Sequence, residues 1–148
     1  MESRHLRFWA IAVTVFLLDR ITKFVVIKMI PLGASIDLLP FLSFTHIVNT
    51  GTAFGLFKNA HMFFMMFALA VSAFIIVEHQ SFKKNTQMIA ALVLGGALGN
   101  VVDRALYGAV IDFIRVPFWP AFNIADSAIT IAIILLIVQE VRHEKQKI

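Results

Sequence analysis

The sequence predicts an all-α membrane protein, a bundle of four transmembrane helices with a small extracytoplasmic β segment. Of the 148 residues, 59% are hydrophobic and only 15% are charged, whereas an average soluble domain carries about 25% charge. The mean hydropathy is +0.85. The apolar residues also fall into runs close to the ~20 residues that a helix needs to cross a bilayer. We expect residues 1–148 to form one integral membrane domain.

Four apolar runs give the predicted spans, at residues 8–29, 60–77, 87–106 and 121–141. The first run follows Arg4 and Arg7, as the apolar core of a cleavable signal peptide would. Its uninterrupted apolar stretch, residues 8–18, ends before Asp19 and Arg20, however, with no small-residue cleavage site. We therefore expect an uncleaved first span.

Clustered positive charge predicts the orientation of the bundle. It occurs before the first span, between spans two and three, and after span four, at Arg4 and Arg7, Lys83 and Lys84, and Arg142, Lys145 and Lys147. In a four-span bundle these segments share one side, and the positive-inside rule makes that side cytoplasmic. Both termini are then cytoplasmic.

The outer segment at residues 31–58 is the predicted β segment. Aromatic and β-branched residues at 41–48 predict a short strand. Residues 49–55 then supply turn-forming types.

Six acidic and amide side chains interrupt or border the apolar runs, namely Asp19, Asn100, Asp103, Asp112, Asn123 and Asp126. An ionisable group at the bilayer centre costs roughly 2.5–3.5 kcal/mol or more, so such groups are functional candidates. At the helical rise, Asp103 and Asp126 each lie ~24 Å from the cytoplasmic end of their span. Asp112 follows span three directly. The carboxylates are therefore expected to converge near the outer surface.

Structural roles remain open for three of these residues. Asn123 and Asp126 have the spacing of a capping pair at the start of span four. Asp112 is equally consistent with an ordinary loop or edge-strand carboxylate.

The charged residues inside spans one and three have structural interpretations too. Asp103 and Arg104 could form a charge pair that snorkels to the interface. Asp19 and Lys23 are four residues apart, which favours an intrahelical ion pair.

Two adjacent carboxylates would suit water activation, because like charges in contact share one proton and their apparent pKa values separate. The ionised group can then act as a base and the protonated group as an acid. The chain has no Cys, which excludes thiolate chemistry. With no HExxH and no Gly-rich phosphate loop, we expect no metal, no cofactor and no nucleic-acid partner.

Several motifs together resemble the bacterial lipoprotein signal peptidases, also called type II signal peptidases. They are DRITK at 19–23, NTGTAFG at 49–55, GNVVDR at 99–104 with GAVIDF at 108–113, and FNIAD at 122–126. The resemblance implies an aspartic endopeptidase of the bacterial inner membrane, with its active site near the periplasmic face. Its implied substrate is a diacylglyceryl-modified prolipoprotein, cut just before the lipid-modified Cys.

The resemblance also implies roles for individual residues. Asp112 and Asp126 take the positions of the catalytic dyad. Supporting positions fall on Asn100, Asp103, Arg104 and Asn123, and positions around the pocket fall on Asp19, Lys23, Asn49 and Gly51.

The implied partners are the prolipoprotein, membrane lipid around its acyl chains, and the inhibitor globomycin at the dyad. The outer β segment would cradle the substrate. Two features depart from the expected pattern. Arg20 stands where many relatives are expected to carry Gln, a change expected to matter little, and the loop at 113–122 is short.

Three alternatives are less favoured. A Ser/Lys membrane peptidase would pair Lys23 with Ser43 or Ser127, although Asp19 would keep that Lys charged. A small transporter or proton-relay protein would place its ionisable groups near the midplane, often in related halves. A non-catalytic assembly partner would lose no function on neutralisation of one carboxylate.

Overall fold

The described residues of the computed structural model, 2–51 and 61–145, form four helices and a small sheet. The helices are α1 (Glu2–Met29), α2 (His61–Glu78), α3 (Lys84–Tyr107) and α4 (Ile124–Lys145), and the strands are β1 (Ser35–Leu39), β2 (Leu42–Asn49) and β3 (Val110–Arg115). The four predicted helical runs are therefore present, with ends displaced by a few residues. Position 60 of the second run and positions 52–58 of the predicted β segment lie outside the described residues.

Three helices, α2, α3 and α4, are long and apolar enough to cross a membrane. The expected count of four spans is thus not confirmed, and three of the four described helices meet the length and hydropathy of a span. The first helix has 28 residues, which is ample length. It carries Asp19, Arg20 and Lys23 among its apolar residues, and this charge lowers its hydropathy.

The β segment is a three-stranded antiparallel sheet in the order β1-β2-β3. The strand expected at 41–48 corresponds to β2. Strands β1 and β3, which have five and six residues, were not predicted from the sequence. Asp112 lies on β3, an edge strand of this sheet, and pairs with Ile47 of β2. The interpretation of Asp112 as an edge-strand carboxylate therefore describes its position correctly.

Helix α3 lies at the centre of the bundle and packs against the other three helices. Two glycines let it approach its neighbours. A Cβ at Gly99 would lie 2.5 Å from Asp19 Oδ2 of α1, and one at Gly96 would lie 2.6 Å from the Ala125 carbonyl oxygen of α4. This agrees with the close packing that small residues permit between helices.

Two apolar clusters surround the polar residues. One, with Phe8, Ala91 and Leu94 at its centre, joins α1, α2 and α3. The other joins Val26 and Ile30 at the end of α1 to Phe113 of β3. The end of α1, the end of α3 and the start of α4 therefore meet at the sheet, and the candidate site lies there.

Candidate active site

Asp112 and Asp126 line one cleft of about 590 Å³. Asp112 comes from β3, and Asp126 comes from the first turn of α4. The cleft wall also includes Asn100 and Arg104 of α3 and the apolar residues Phe122, Ile129 and Ile131. The expected convergence of residues that are distant in sequence is thus present.

Amide groups hold both oxygens of the Asp112 carboxylate. Asn123 Nδ2 donates to Oδ1 at 2.9 Å, and Asn49 Nδ2 donates to Oδ2 at 2.8 Å. The Gly51 N–H donates to Asn49 Oδ1 at 3.0 Å, which leaves the amide nitrogen of Asn49 to face Asp112. Only 2% of Asp112 is exposed.

Burial raises the pKa of Asp112 to about 7, and the charge of Asp126 adds to this increase. The hydrogen bonds from Asn49 and Asn123 and the charge of Lys23 act in the opposite direction. Hydrogen-bond donors favour the ionised carboxylate, while a low-dielectric environment disfavours it. Asp112 can therefore change its protonation state near neutral pH.

Asp126 is held by one amide side chain and by the start of its own helix. Asn100 Nδ2 donates to Asp126 Oδ1 at 2.8 Å. The Asp126 N–H donates to Asn123 Oδ1 at 2.9 Å, and the Asn123 N–H approaches Asp126 Oδ2 at 3.4 Å. The predicted capping pair is therefore correct. Asp126 can take part in the cap and line the cleft at the same time, because its N–H and Oδ2 face Asn123 while its Oδ1 faces Asn100.

Lys23 fixes the orientation of Asn100. Its ammonium donates to Asn100 Oδ1 at 3.0 Å. Because Lys can only donate, the oxygen of Asn100 faces Lys23 and its nitrogen faces Asp126. Asn123 Nδ2 also donates to Asn100 Oδ1, at 3.2 Å, so the amides behind the two carboxylates form one connected set.

Lys23 is fully buried within an ion cluster. It contacts Asp19 Oδ2 at 2.8 Å and Asp103 Oδ2 at 2.7 Å. The expected Asp19–Lys23 ion pair is therefore present. Asp19 Oδ1 also accepts from the Ala125 N–H of α4 at 3.0 Å, so this carboxylate ties α1 to the start of α4.

The expectation of a snorkelling Asp103–Arg104 pair was wrong. Asp103 is fully buried and pairs with Lys23 and Arg20 of α1. Arg104 instead lines the cleft, with its Cζ 6.0 Å from the centre of the Phe64 ring and Nη1 3.5 Å from the Asn100 carbonyl oxygen. Adjacent residues of an α-helix point in directions about 100° apart, so the two side chains meet different partners.

Arg20 is the site residue that sequence reasoning missed. It pairs with Asp103 although no role was expected for it. The available signal was its position inside a predicted span, where a charge requires a partner. All ten predicted site residues lie in the cleft or in the hydrogen-bonded set behind it.

The geometry opposes a Ser/Lys pair. The ammonium of Lys23 has three acceptors, Asp19, Asp103 and Asn100. Ser127 Oγ donates to the Asn123 carbonyl oxygen at 2.8 Å, and Ser43 lines a neighbouring groove. Across residues 2–51 and 61–145, no group of three or more His, Asp or Glu side chains could hold a metal ion.

Comparisons with known proteins identify the family. The family described as Signal peptidase (SPase) II matches residues 11–142. A lipoprotein signal peptidase of Thermodesulfovibrio yellowstonii is 44% identical over 135 residues, which cover 86% of this chain and 90% of that protein. One from Polynucleobacter necessarius subsp. necessarius is 42% identical over 147 residues, covering 93% and 90%.

A solved structure is also similar to this chain. It is a bacterial membrane enzyme determined by the in meso method, with a TM-score of 0.88 and 31% identity, covering 100% of this chain and 93% of that one. The family expected from the motifs is thereby confirmed. This chain belongs to the signal peptidase II family and is a peptidase.

Proposed function

We propose that this peptidase is an aspartic endopeptidase in which Asp112 and Asp126 activate water. The observation that carries the proposal is the arrangement of these two residues. They line one cleft, a side-chain amide donates to each carboxylate, and Asn123 bonds to both residues. Such a pair needs neither a metal nor a nucleophilic side chain.

The chemistry follows from one proton shared by two carboxyl groups. The ionised carboxylate takes a proton from water, and the water oxygen attacks the scissile carbonyl carbon. The protonated partner donates a hydrogen bond to the carbonyl oxygen as charge develops there. A proton then passes to the leaving nitrogen as the C–N bond breaks. A pKa of about 7 at Asp112 suits this exchange at neutral pH.

The proposed substrate is a diacylglyceryl-modified prolipoprotein, cut just before the modified Cys. The names of the relatives support this class of substrate. The cleft combines two carboxylates with an apolar wall from α4, where Ile131 is half exposed. The acyl chains would stay in lipid beside that wall while the peptide reaches the carboxylates. A globomycin-type cyclic peptide would compete for the same cleft.

We further propose that α1 is a fourth span of a multi-pass protein of the bacterial inner membrane. Its 28 residues suffice to cross a bilayer. Asp19 and Lys23 are fully buried within the protein, so neither charge faces lipid. Arg7, Lys84 and Arg142 mark the ends away from the sheet, which places both termini in the cytoplasm and the cleft near the outer face.

The test is cleavage of a purified prolipoprotein by the purified protein in phospholipid vesicles. The substrate is supplied with and without its diacylglyceryl group, and mass spectrometry identifies the new N-terminus. We expect a product that begins at the modified Cys, formed from the lipidated substrate only. Ser127→Ala is the matched control and should keep its activity. Cleavage elsewhere, or loss of cleavage in Ser127→Ala, would contradict the proposal.

A further inference from the structure

Arg20 of α1 is a charged residue that the mechanism above does not use. Its side chain is 19% exposed, and its Nη1 donates both to Asp103 Oδ1 and to the Gly99 carbonyl oxygen, the latter at 3.3 Å. Both acceptors belong to α3. Arg20 therefore ties α1 to α3 through a buried carboxylate as well as through the backbone.

Asp103 connects Arg20 to the strand that carries Asp112. Asp103 Oδ2 accepts the Ile111 N–H at 3.1 Å and the Lys23 ammonium at 2.7 Å. Ile111 directly precedes Asp112, and its carbonyl oxygen accepts from Asn123 Nδ2 at 3.3 Å. One oxygen of Asp103 thus anchors β3, while Arg20 holds the other oxygen. Loss of Arg20 takes this partner from Oδ1, so the contacts of Asp103 with Lys23 and Ile111 then hold the carboxylate through Oδ2.

Arg20 also balances charge within the cluster. Asp19 and Asp103 carry two negative charges, and Lys23 and Arg20 carry two positive charges. Removal of Arg20 alone leaves this cluster with a formal charge of −1. Charges interact more strongly in a low-dielectric interior than in water, so the change should reach the nearby carboxylates.

The ionisable groups around Asp112 come from three helices. They are Lys23 with Asp19 and Arg20 on α1, Asp103 and Arg104 on α3, and Asp126 on α4. All of them except Arg20 persist in an Arg20 variant. Neutralising Arg20 therefore changes the net charge of these groups by one unit.

We propose that Arg20 is a positioning residue for the two carboxylates: it fixes Asp103 as the anchor of β3 and keeps the buried ion cluster neutral. This inference rests on the proposed function of Asp112 and Asp126. It predicts that Arg20 sets the pH at which the peptidase works, a property that a residue with only a packing role would not control.

The test compares wild type, Arg20→Gln and Arg20→Lys, with kcat/KM measured against pH on the diacylglyceryl-modified prolipoprotein. Arg7→Gln is the matched control, because it removes one exposed positive charge from the same helix far from the site. Arg20→Gln should shift the profile to higher pH by up to about one unit, the order of magnitude expected when one charge is removed from an interior with an effective dielectric of about 20. Arg20→Lys and Arg7→Gln should keep the wild-type profile.

An unchanged profile in folded Arg20→Gln would overturn the inference, and so would an equal shift in Arg7→Gln. Should Arg20→Gln fail to fold, Arg20→His replaces it. The imidazole of this variant loses its charge near pH 6.5. The kcat/KM profile of the variant must therefore depart from that of wild type only above that pH.

A second readout needs no turnover. The stability difference between each protein and its Asp112→Asn form is measured against pH, in the Arg20 and Arg20→Gln backgrounds. We expect the pH dependence of this stability difference to shift to higher pH in the Arg20→Gln background. Coincident curves in the two backgrounds would overturn the inference. If wild type does not cleave, the proposed function fails while this second readout still decides the role of Arg20.

Discussion

Lys23→Met should be among the most destabilising single substitutions in the protein. The Lys23 ammonium is fully buried and contacts Asp19 at 2.8 Å, Asp103 at 2.7 Å and Asn100 at 3.0 Å. Methionine fills much of the same volume but leaves two buried carboxylates with one fewer cation. Removing one partner of a buried ion pair costs about 3–5 kcal/mol, a large share of the 5–15 kcal/mol that is typical of a whole domain.

The assay is thermal unfolding of the purified protein in detergent, read beside its cleavage activity. A loss of about 3–5 kcal/mol lowers the melting temperature by roughly 6–20 °C in a chain of this size. Lys28→Met is the matched control, because Lys28 is exposed on the same helix and only lies over the Phe24 ring. Its loss should cost under about 1 kcal/mol.

A double substitution separates charge from packing. Lys23→Met combined with Asp19→Asn should be less destabilised than the sum of the two single changes, because the second change removes one of the stranded charges. Residues in one such network couple by about 0.5–3 kcal/mol. A Lys23→Met protein as stable as wild type, or strictly additive changes, would contradict the expected electrostatic coupling within the buried cluster.

Three further outcomes follow from the site. Gly99→Ala places a Cβ 2.5 Å from Asp19 Oδ2, so the Asp19 carboxylate must leave its place in the ion cluster or α1 must shift; we expect both a lower melting temperature and lost cleavage. Relative to wild type, Asp112→Asn should gain stability between pH 5 and pH 8. A carboxyl whose folded pKa of about 7 exceeds its unfolded value near 3.8 loses stability as pH rises through that interval. Asn123→Ala removes the cap of α4 and a donor to Asp112, and should cost about 2–4 kcal/mol together with most activity.

Each of these has a contrary result, and Gly99→Ala also has a control. Leu106→Ala, exposed on the same helix as Gly99, should leave cleavage intact, and equal effects of the two changes would argue against the close α1–α3 approach. A stability difference between Asp112→Asn and wild type that does not change between pH 5 and pH 8 would contradict the raised pKa of Asp112. An active Asn123→Ala protein would show that this amide does not hold the carboxylates in place.

Local patterns predicted the parts of the structure that depend on local interactions. The apolar runs located the helices, the spacing of Asn123 and Asp126 gave the cap, and the four-residue spacing of Asp19 and Lys23 gave the ion pair. Each of these rests on contacts between residues close in sequence. Motif resemblance then supplied the site residues, which span distant parts of the chain.

What sequence reasoning missed depends on contacts between distant segments. Strand β3 is short, and its pairing with β2 joins residues more than 60 positions apart. Asp103 has Arg104 beside it in sequence, yet its partners are Arg20 and Lys23 on another helix. The choice between these partners depends on how α1 packs against α3, which hydropathy and periodicity do not specify.

The proposed activation of water by Asp112 and Asp126 is tested by cleavage of the diacylglyceryl-modified prolipoprotein by Asp112→Asn and Asp126→Asn at matched folding. Asp37→Asn, an exposed carboxylate on β1, is the control and should cut at the wild-type rate. We expect each dyad variant to bind the substrate without cutting it. Normal cleavage by either variant would contradict the two-carboxylate mechanism.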